Sequence, residues 1–537
     1  MTGLGGRARC RYRSRPEKLE ERSGFEGAAT GGAWLSRRRF PLPLFAAVAL
    51  LTGCDIGHDY QRPALDLPDA FRATPSAEAA AWPSADWWLG FQSPELNALI
   101  EAARARNFDI AAAIARVRQA EAQVRIAGAP LLPGIGGNEG ASWQHEGINT
   151  GGTLANGGRA GSNASFDVHS YSAGLSASYE LDFWGRNRAA RQSAVASAMF
   201  SRFDQRTVAL TVVTNVANTW FTALSLADRL AVARRNLADS EHTLAVIRGR
   251  FDAGTASQLD IAQQDSLVAG VRATIPNLVS QLKQQVIALG ILTGQPPERI
   301  AVTPNTLIAL ALPPVVPGLP SELLARRPDV ASAEAQLVAQ HFSITVARAA
   351  FFPSIQLTAS AGYQAPALSR LVTPGGALAS VAEGLTLPIF DGGTLRGQLD
   401  LAKGRYDELL ADYRKAVVQA FTDVDTALTA WRYATEQETL QTVAVGTAQR
   451  AATIARAQME AGTVDIITVL TAETTLFSAE DTLVQVRLAR AQALLNLYKA
   501  LGGGWMEPDR PVTDQFPGLT PGMVPGGVAL PVGDNVR

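Results

Sequence analysis

Between residues 170 and 182 the chain alternates with a period of two. Tyr171, Ala173, Leu175, Ala177, Tyr179 and Leu181 fall on one side, and Ser170, Ser172, Ser176, Ser178, Glu180 and Asp182 on the other. Successive side chains of a strand point to opposite faces, so the pattern predicts one apolar face and one small, polar face. A strand in the wall of a membrane barrel has that character, apolar toward lipid and polar toward water. A half-buried strand of a soluble sandwich shares it; the export signal described below favours the barrel. Upstream, Ile110, Ala113, Ile114, Val117, Ala120 and Val124 recur at helical spacing and form one stripe. This helical pattern starts near Pro94 and stops at Pro130 and Pro133. Residues 134–165, rich in Gly, Asn and Ser, fit a neighbouring strand and an exposed loop.

The same order returns in the second half. Asn107, Phe108, Asp109 and Ile110 correspond to Arg327, Pro328, Asp329 and Val330, and Pro133 to Pro353, at an offset of 220. Ile355, Leu357, Ala359, Ala361 and Tyr363 alternate with Gln356, Thr358, Ser360 and Gly362. After the strands, LDFWG at 181–185 matches PIFDG at 388–392 at an offset of 207. The drop from 220 to 207 makes the first hairpin the longer by 13, most easily within 151–164. No proline interrupts the chain between Pro133 and Pro276, or between Pro388 and Pro508. From Gly185 to Phe251 is about 66 residues, roughly 100 Å at 1.5 Å per residue. Helices of that length must project as a coiled-coil-like array. They reverse at FDAGTASQLDI (251–261) and MEAGTVDIITV (459–469), with Gly254 and Gly462 as the turn residues, 208 apart.

The chain thus divides into a leader (1–53), an extended arm (54–93), a first repeat (94–295), a proline-rich linker (296–320), a second repeat (321–506) and a Pro- and Gly-rich tail (507–537). Trp82, Trp87 and Trp88 in the arm read as packing residues. Two hairpins supply four strands, whereas a closed membrane barrel needs about eight and open edges do not survive in lipid. The protein is therefore expected to oligomerise.

Overall charge is −1, which leaves no nucleic-acid footprint. Residues 1–53 carry ten Lys/Arg against four Asp/Glu, and are followed by Leu51, Thr52, Gly53 and Cys54 after an apolar run at 40–51. Basic region, apolar core and small residues describe an export signal, and Leu-Thr-Gly-Cys matches a bacterial lipobox with Cys54 as the lipidated first mature residue. The run is too short to span a membrane. Arg37, Arg38 and Arg39 before Phe40 resemble a twin-arginine signal, but also make an ordinary basic region, the reading preferred here. A start site placed too far upstream would account for residues 1–35, and Asp55 stands where some bacteria read an inner-membrane retention signal. Loss of Cys10 with the leader and acylation of Cys54 leave no disulfide, and the five histidines offer no ligand spacing for a metal.

GHDYQRP after Cys54, SYELDFWGRNR, LLARRPDV, ARAAFFPSIQLT, LPIFDGGTLR and NLYKALGGGW resemble the outer-membrane efflux lipoproteins of the OprM and NodT type, in the TolC superfamily. The resemblance covers nearly all of residues 54–506. It implies a mostly α protein with a membrane β-barrel sector, whose homotrimer forms a 12-stranded β-barrel on a 12-helix α-barrel. It implies an outer-membrane location, lipid-anchored and barrel-spanning, with a long periplasmic extension. Such ducts passively export small molecules such as drugs. They receive cargo from an inner-membrane efflux pump of the resistance-nodulation-division type through a periplasmic adaptor (membrane fusion protein). In this family the helical tips are the gated periplasmic end and the adaptor-docking site, so Gly254, Thr255, Gly462 and Thr463 are the candidate docking turns. Tip aspartates commonly line the constriction. Asp260, six residues after Gly254, fits; in the second tip the position nine after Gly462, where relatives often carry an aspartate, is Thr471, the position six after it is Thr468, and Asp465 is the nearest carboxylate. Rings of carboxylates around a narrow pore attract cations, although an acid at a helix start also complements the helix dipole. No nucleophile elbow, phosphate loop or metal constellation supports an enzyme, and no cofactor is expected beyond the lipid on Cys54. The duct of a type I protein-secretion system is the alternative.

Overall fold

The computed structural model describes residues 56–65, 71, 82–149, 152–153, 159–160, 163–300, 302, 306–313 and 323–505. The leader, Cys54 and the tail 507–537 lie outside the described residues. The chain divides at Gly53, and everything below concerns the unit Gly53–Arg537.

The first repeat contains helix α1 (Pro94–Arg106), α2 (Phe108–Gly128), strand β1 (Gly134–Asn149), β2 (Asn163–Leu181), α3 (Arg186–Asp252) and α4 (Gln258–Thr293). The second contains α5 (Pro328–Ala349), β3 (Ser354–Ala365), β4 (Ala377–Thr386), α6 (Thr394–Glu460) and α7 (Ile466–Ala500). Local chemistry sets the boundaries. Ser93 Oγ accepts the Leu96 N–H at 3.3 Å with Pro94 at the first helical position, which starts α1. Asn107 ends α1 and caps α2 by accepting from Asp109 and Ile110; its amide donates to the Leu292 carbonyl, tying α2 to the end of α4. The two long helices, 67 residues each, both follow a glycine in left-handed conformation, Gly185 (φ 74°) and Gly393 (φ 90°). Asp182 and Asp391 satisfy their first free N–H groups. Backbone N–H donors from Leu395 and Gly393 hold the Asp391 carboxyl below the usual range.

The sheet is an antiparallel meander in chain order, β1-β2-β3-β4, with β1 and β4 at open edges. The period-two prediction and its faces hold, and the repeat needs one correction. Helices α3 and α6 start and end at a common offset of 208, and so do Ser178 and Thr386, the exit-strand partners in the base rungs Gly134–Ser178 and Ser354–Thr386. Gly185 therefore corresponds to Gly393, and the offset of 207 that identity favours is one short. The first hairpin's extra length goes into strand pairing, in part within 151–164. Its continuous ladder has 16 rungs against 10 for the second, and two further rungs in the same register, Gly152–Ala160 and Thr153–Arg159, follow beyond Asn149–Asn163. The added residues lengthen the paired arms of the hairpin.

Helix α3 packs on α2, α4, α5 and α7, and α6 on α5 and α7. The largest core cluster lies where the arm meets the bundle. Trp87 stacks on Tyr498 at 4.9 Å, Phe91 meets Phe221 edge-on at 5.2 Å, and the Trp220 indole donates to Glu95. The three arm tryptophans are thus packing residues: Trp87 and Trp88 are buried, and Trp82 lies under the Arg326 guanidinium at 4.4 Å. In the linker, the Leu307 N–H and the Thr306 hydroxyl both donate to Asp228 of α3. No described helix is long and apolar enough to cross a membrane.

Candidate functional site

The two helical reversals are built alike. Gly254 (φ 76°) and Gly462 (φ 75°) take the left-handed conformation, and open space surrounds both. Thr255 returns its N–H to the Arg250 carbonyl at 2.8 Å and Thr463 to Gln458 at 2.9 Å, six-residue closures that satisfy the last carbonyls of α3 and α6. Each threonine hydroxyl donates to the same carbonyl as its own N–H.

The carboxylates differ in a way the sequence comparison did not expose. At the first tip Ser257 caps α4 by accepting the Asp260 N–H, and Asp260 accepts the Ser257 N–H at 2.7 Å, a reciprocal capping box. At the second tip Asp465 is itself the cap of α7, accepting both the N–H and the hydroxyl proton of Thr468. Those bonds hold the Asp465 carboxyl below its usual range. Hydroxyl and carboxylate have exchanged places: Ser-x-x-Asp in one tip, Asp-x-x-Thr in the other. Each tip therefore carries one acid at a helix start. Thr471 spends its hydroxyl on the Ile467 carbonyl within α7.

The tips are held together by Ile247, Met459, Ile466 and Val469, all buried, and by the Arg250 guanidinium donating to the Met459 carbonyl. Between α4 and α7 runs a groove of about 500 Å³, lined by Leu259, Ala262 and Gln263 on one side and Ile467, Leu470 and Thr471 on the other. Farther along the helices lies a buried polar cluster that sequence reasoning missed. Glu473 of α7, fully buried, accepts from Thr243 of α3 at 2.9 Å and from Arg456 of α6 at 2.8 Å. Gln264 of α4, equally buried, donates to the Ser240 carbonyl of α3. One heptad beyond, Glu480 faces Arg235 at 4.0 Å, and burial pushes its carboxyl pKa up. In the sequence these residues sit among ordinary charged helical positions; only the packing of four helices makes them interior.

The sheet is the other functional surface. Its apolar face comprises the odd-numbered residues of all four strands, from Ile135, Leu181, Ile355 and Leu385 to Trp143. Along β1 that band is eight steps, roughly 27 Å, shortened by strand tilt to about 20 Å. Tyr171, Tyr363 and Trp143 lie toward one margin; at the other, Trp184 stacks on Phe352 at 4.7 Å and donates to the Pro353 carbonyl. Aromatic girdles of this kind flank the lipid band of membrane barrels. Beyond Trp143 the pattern inverts: His145 and Asp167, 2.7 Å apart, take the outer face, and Phe166 and Val168 the other. The opposite face below that level is mostly Ser, Thr, Gly, Asn and Gln, with Glu180, Leu378 and Ala382 among them, and is cross-linked by bonds such as Ser360–Ser380 at 2.8 Å.

The profile of the family described as Outer membrane efflux protein matches residues 99–295 and 319–503. The chain belongs to that family. As an outer membrane efflux protein it is 41% identical over 467 residues to the pyoverdine export outer membrane protein OpmQ of Pseudomonas aeruginosa, covering 86% of this chain and 97% of OpmQ. It is 30% identical over 472 residues to the cation efflux system protein CusC of Escherichia coli, covering 87% and 99%. The solved structure of the outer-membrane channel OprN superposes with a TM-score of 0.78 at 26% identity, covering 84% of this chain and all of that one. An outer membrane efflux channel catalyses no reaction. The open-edged sheet is its membrane sector, and the long helices its periplasmic extension.

Proposed function

We propose that three copies of this chain close one twelve-stranded barrel and that their helices continue it as a gated tunnel for small molecules. The observation that carries this reading is a four-stranded sheet with one apolar face and two open edges, since backbone edges must be paired in lipid. The face of mostly small polar residues suits a wide lumen that does not choose its cargo. Cargo is then delivered by an inner-membrane pump of the resistance-nodulation-division type through a periplasmic adaptor that docks at the tips, around Gly254, Thr255, Gly462 and Thr463. Pyoverdine and cations, named for the relatives OpmQ and CusC, support a small-molecule cargo over a secreted protein.

Lipidation of Cys54 is part of the same proposal. His58 lies beside His341 and Arg348 near the end of α5, six residues from the start of β3. Lipidation rests on the Leu-Thr-Gly-Cys order that ends at Cys54.

Asp260 and Asp465 form the candidate acid rings of the gate, with Thr468 and Thr471 beside the second. Asp260→Asn keeps an acceptor for the Ser257 N–H and removes the charge. In planar-bilayer recordings this variant is expected to lower cation preference; unchanged selectivity and conductance would leave Asp260 a helix cap alone. In outer-membrane extracts, unheated protein is expected to run as a trimer that heat converts to protomer. Protomer alone before heating would sink the shared barrel.

A further inference from the structure

Within the sheet, one joint unites the two repeats: the exit strand β2 of the first pairs with the leading strand β3 of the second. The repeats correspond at an offset of 220 through their leading strands and of 208 through their exit strands and long helices. Under that correspondence the β2–β3 joint has one counterpart, β4 of one copy against β1 of another. The inference therefore rests on the oligomeric duct proposed above.

We infer that subunits join by repeating the β2–β3 register. The rung Gly174–Gly362 becomes Ala382 opposite Ser142 of the next copy, Ala173–Tyr363 becomes Val381 opposite Trp143, and Leu175–Ala361 becomes Glu383 opposite Ala141. The parity is right. Val381 and Trp143 both lie on the apolar face, and Ala382 and Ser142 both on the polar face. A slip of one residue would turn every side chain of one strand to the wrong solvent. The residues brought together also need partners: Val381 is 85% and Trp143 62% exposed in the single chain.

This register gives two isolated acids a common explanation. Among the described residues of the apolar face below the Trp143–His169 rung, Glu139 and Glu383 are the charged ones, and each sits on an open edge. A charge on an edge strand protects a lone subunit from wrong pairing. In the joint, Glu383 of one copy becomes the diagonal neighbour of Glu139 of the next, about 7 Å away. Like charges at lipid depth repel, so the joint is held against a built-in resistance.

The test uses the full chain, whose cysteines are Cys10 and Cys54 alone. Ser142→Cys combined with Ala382→Cys, oxidised in outer membranes, is expected to give covalent dimers and trimers on non-reducing gels, and each single variant none. If heat-labile trimers form but this pair stays unlinked, or Ser142→Cys links through Ser380→Cys instead, the register is overturned and the duct stands. If no trimer forms in the unsubstituted protein, both fall. Glu383→Gln is expected to raise the temperature at which trimers dissociate; an unchanged or lower temperature removes the role given to the two acids.

Discussion

Arg327 shows how much one residue can carry without advertising it. Its side chain is 9% exposed and donates to Asp329 at 2.6 Å and Asp423 at 2.9 Å, and to the carbonyls of Ala420 and Ala500. It thus joins the start of α5 to α6 and to the end of α7. Burial opposes the guanidinium charge, but the hydrogen bond and charge of Asp329, then Asp423, more than offset it and raise its pKa. Burial likewise pushes the Asp329 carboxyl up, and the bond and charge of Arg327 outweigh that and hold it below the usual range. For a depressed carboxylate the stabilisation is complete above its unfolded value and is lost as pH falls through the folded one. This contribution should therefore fade below about pH 4. Arg327→Met removes the cation shared by the two acids, leaving Asp423 only the Gln419 amide and Asp329 only the Val330 N–H among their hydrogen bonds. Because both acids are about one-third exposed, the expected loss is about 3 kcal/mol, at the low end for a broken buried pair, read as a lower midpoint in urea unfolding. Arg327→Lys should recover little of it, since an ammonium cannot span four acceptors in one plane.

At the scale of helices, the buried cluster near the tips is where α3, α4, α6 and α7 are committed to one arrangement. Glu473 is fully hidden and bonded from two helices, while Glu480 faces its arginine at the limit of an ion pair. A carboxyl whose folded pKa is raised destabilises the fold at neutral pH, and the cost is relieved as pH falls through that raised value. Glu480→Gln is therefore expected to increase the thermal stability of the assembled protein near pH 7. Its advantage over the unsubstituted protein should shrink as the pH approaches about 4.5. An advantage that persists unchanged at low pH would show that packing, and not charge, is responsible. The swapped caps at the tips belong to this scale too. Ser257 with Asp260 and Asp465 with Thr468 do the same local work with the acid in different positions. The tips are less unequal than a comparison of the positions after Gly254 and Gly462 suggests.

At the scale of the molecule, an extended apolar face and two unpaired edges make the single chain incomplete as a membrane structure. The first hairpin adds eight described rungs beyond the second, six of them continuous with its ladder, and the polarity of its faces inverts there. Those rungs lie past the aromatic margin of the apolar band, so only one hairpin per subunit continues outward. The inversion was visible in residues 143–148 and 164–169 as a break in alternation. Its meaning was not, because the matching strand that stops short belongs to the other repeat.

The duplication, the faces of the strands, the length of the helices and their glycine turns were all determined by the sequence alone. Each is a local periodicity or a backbone conformation that one residue type tolerates, and neither depends on distant chain. The offset of the repeat was misread by one residue because identity at LDFWG and PIFDG outweighed the shared helix-start glycines, which only backbone geometry reveals. Tertiary structure alone decided that Arg327, Glu473 and Gln264 are interior, and that Asp260 is held as half of a capping box. A charged residue reads the same in sequence whether water or three other helices surround it; burial is a property of the neighbours, and the neighbours come from elsewhere in the chain.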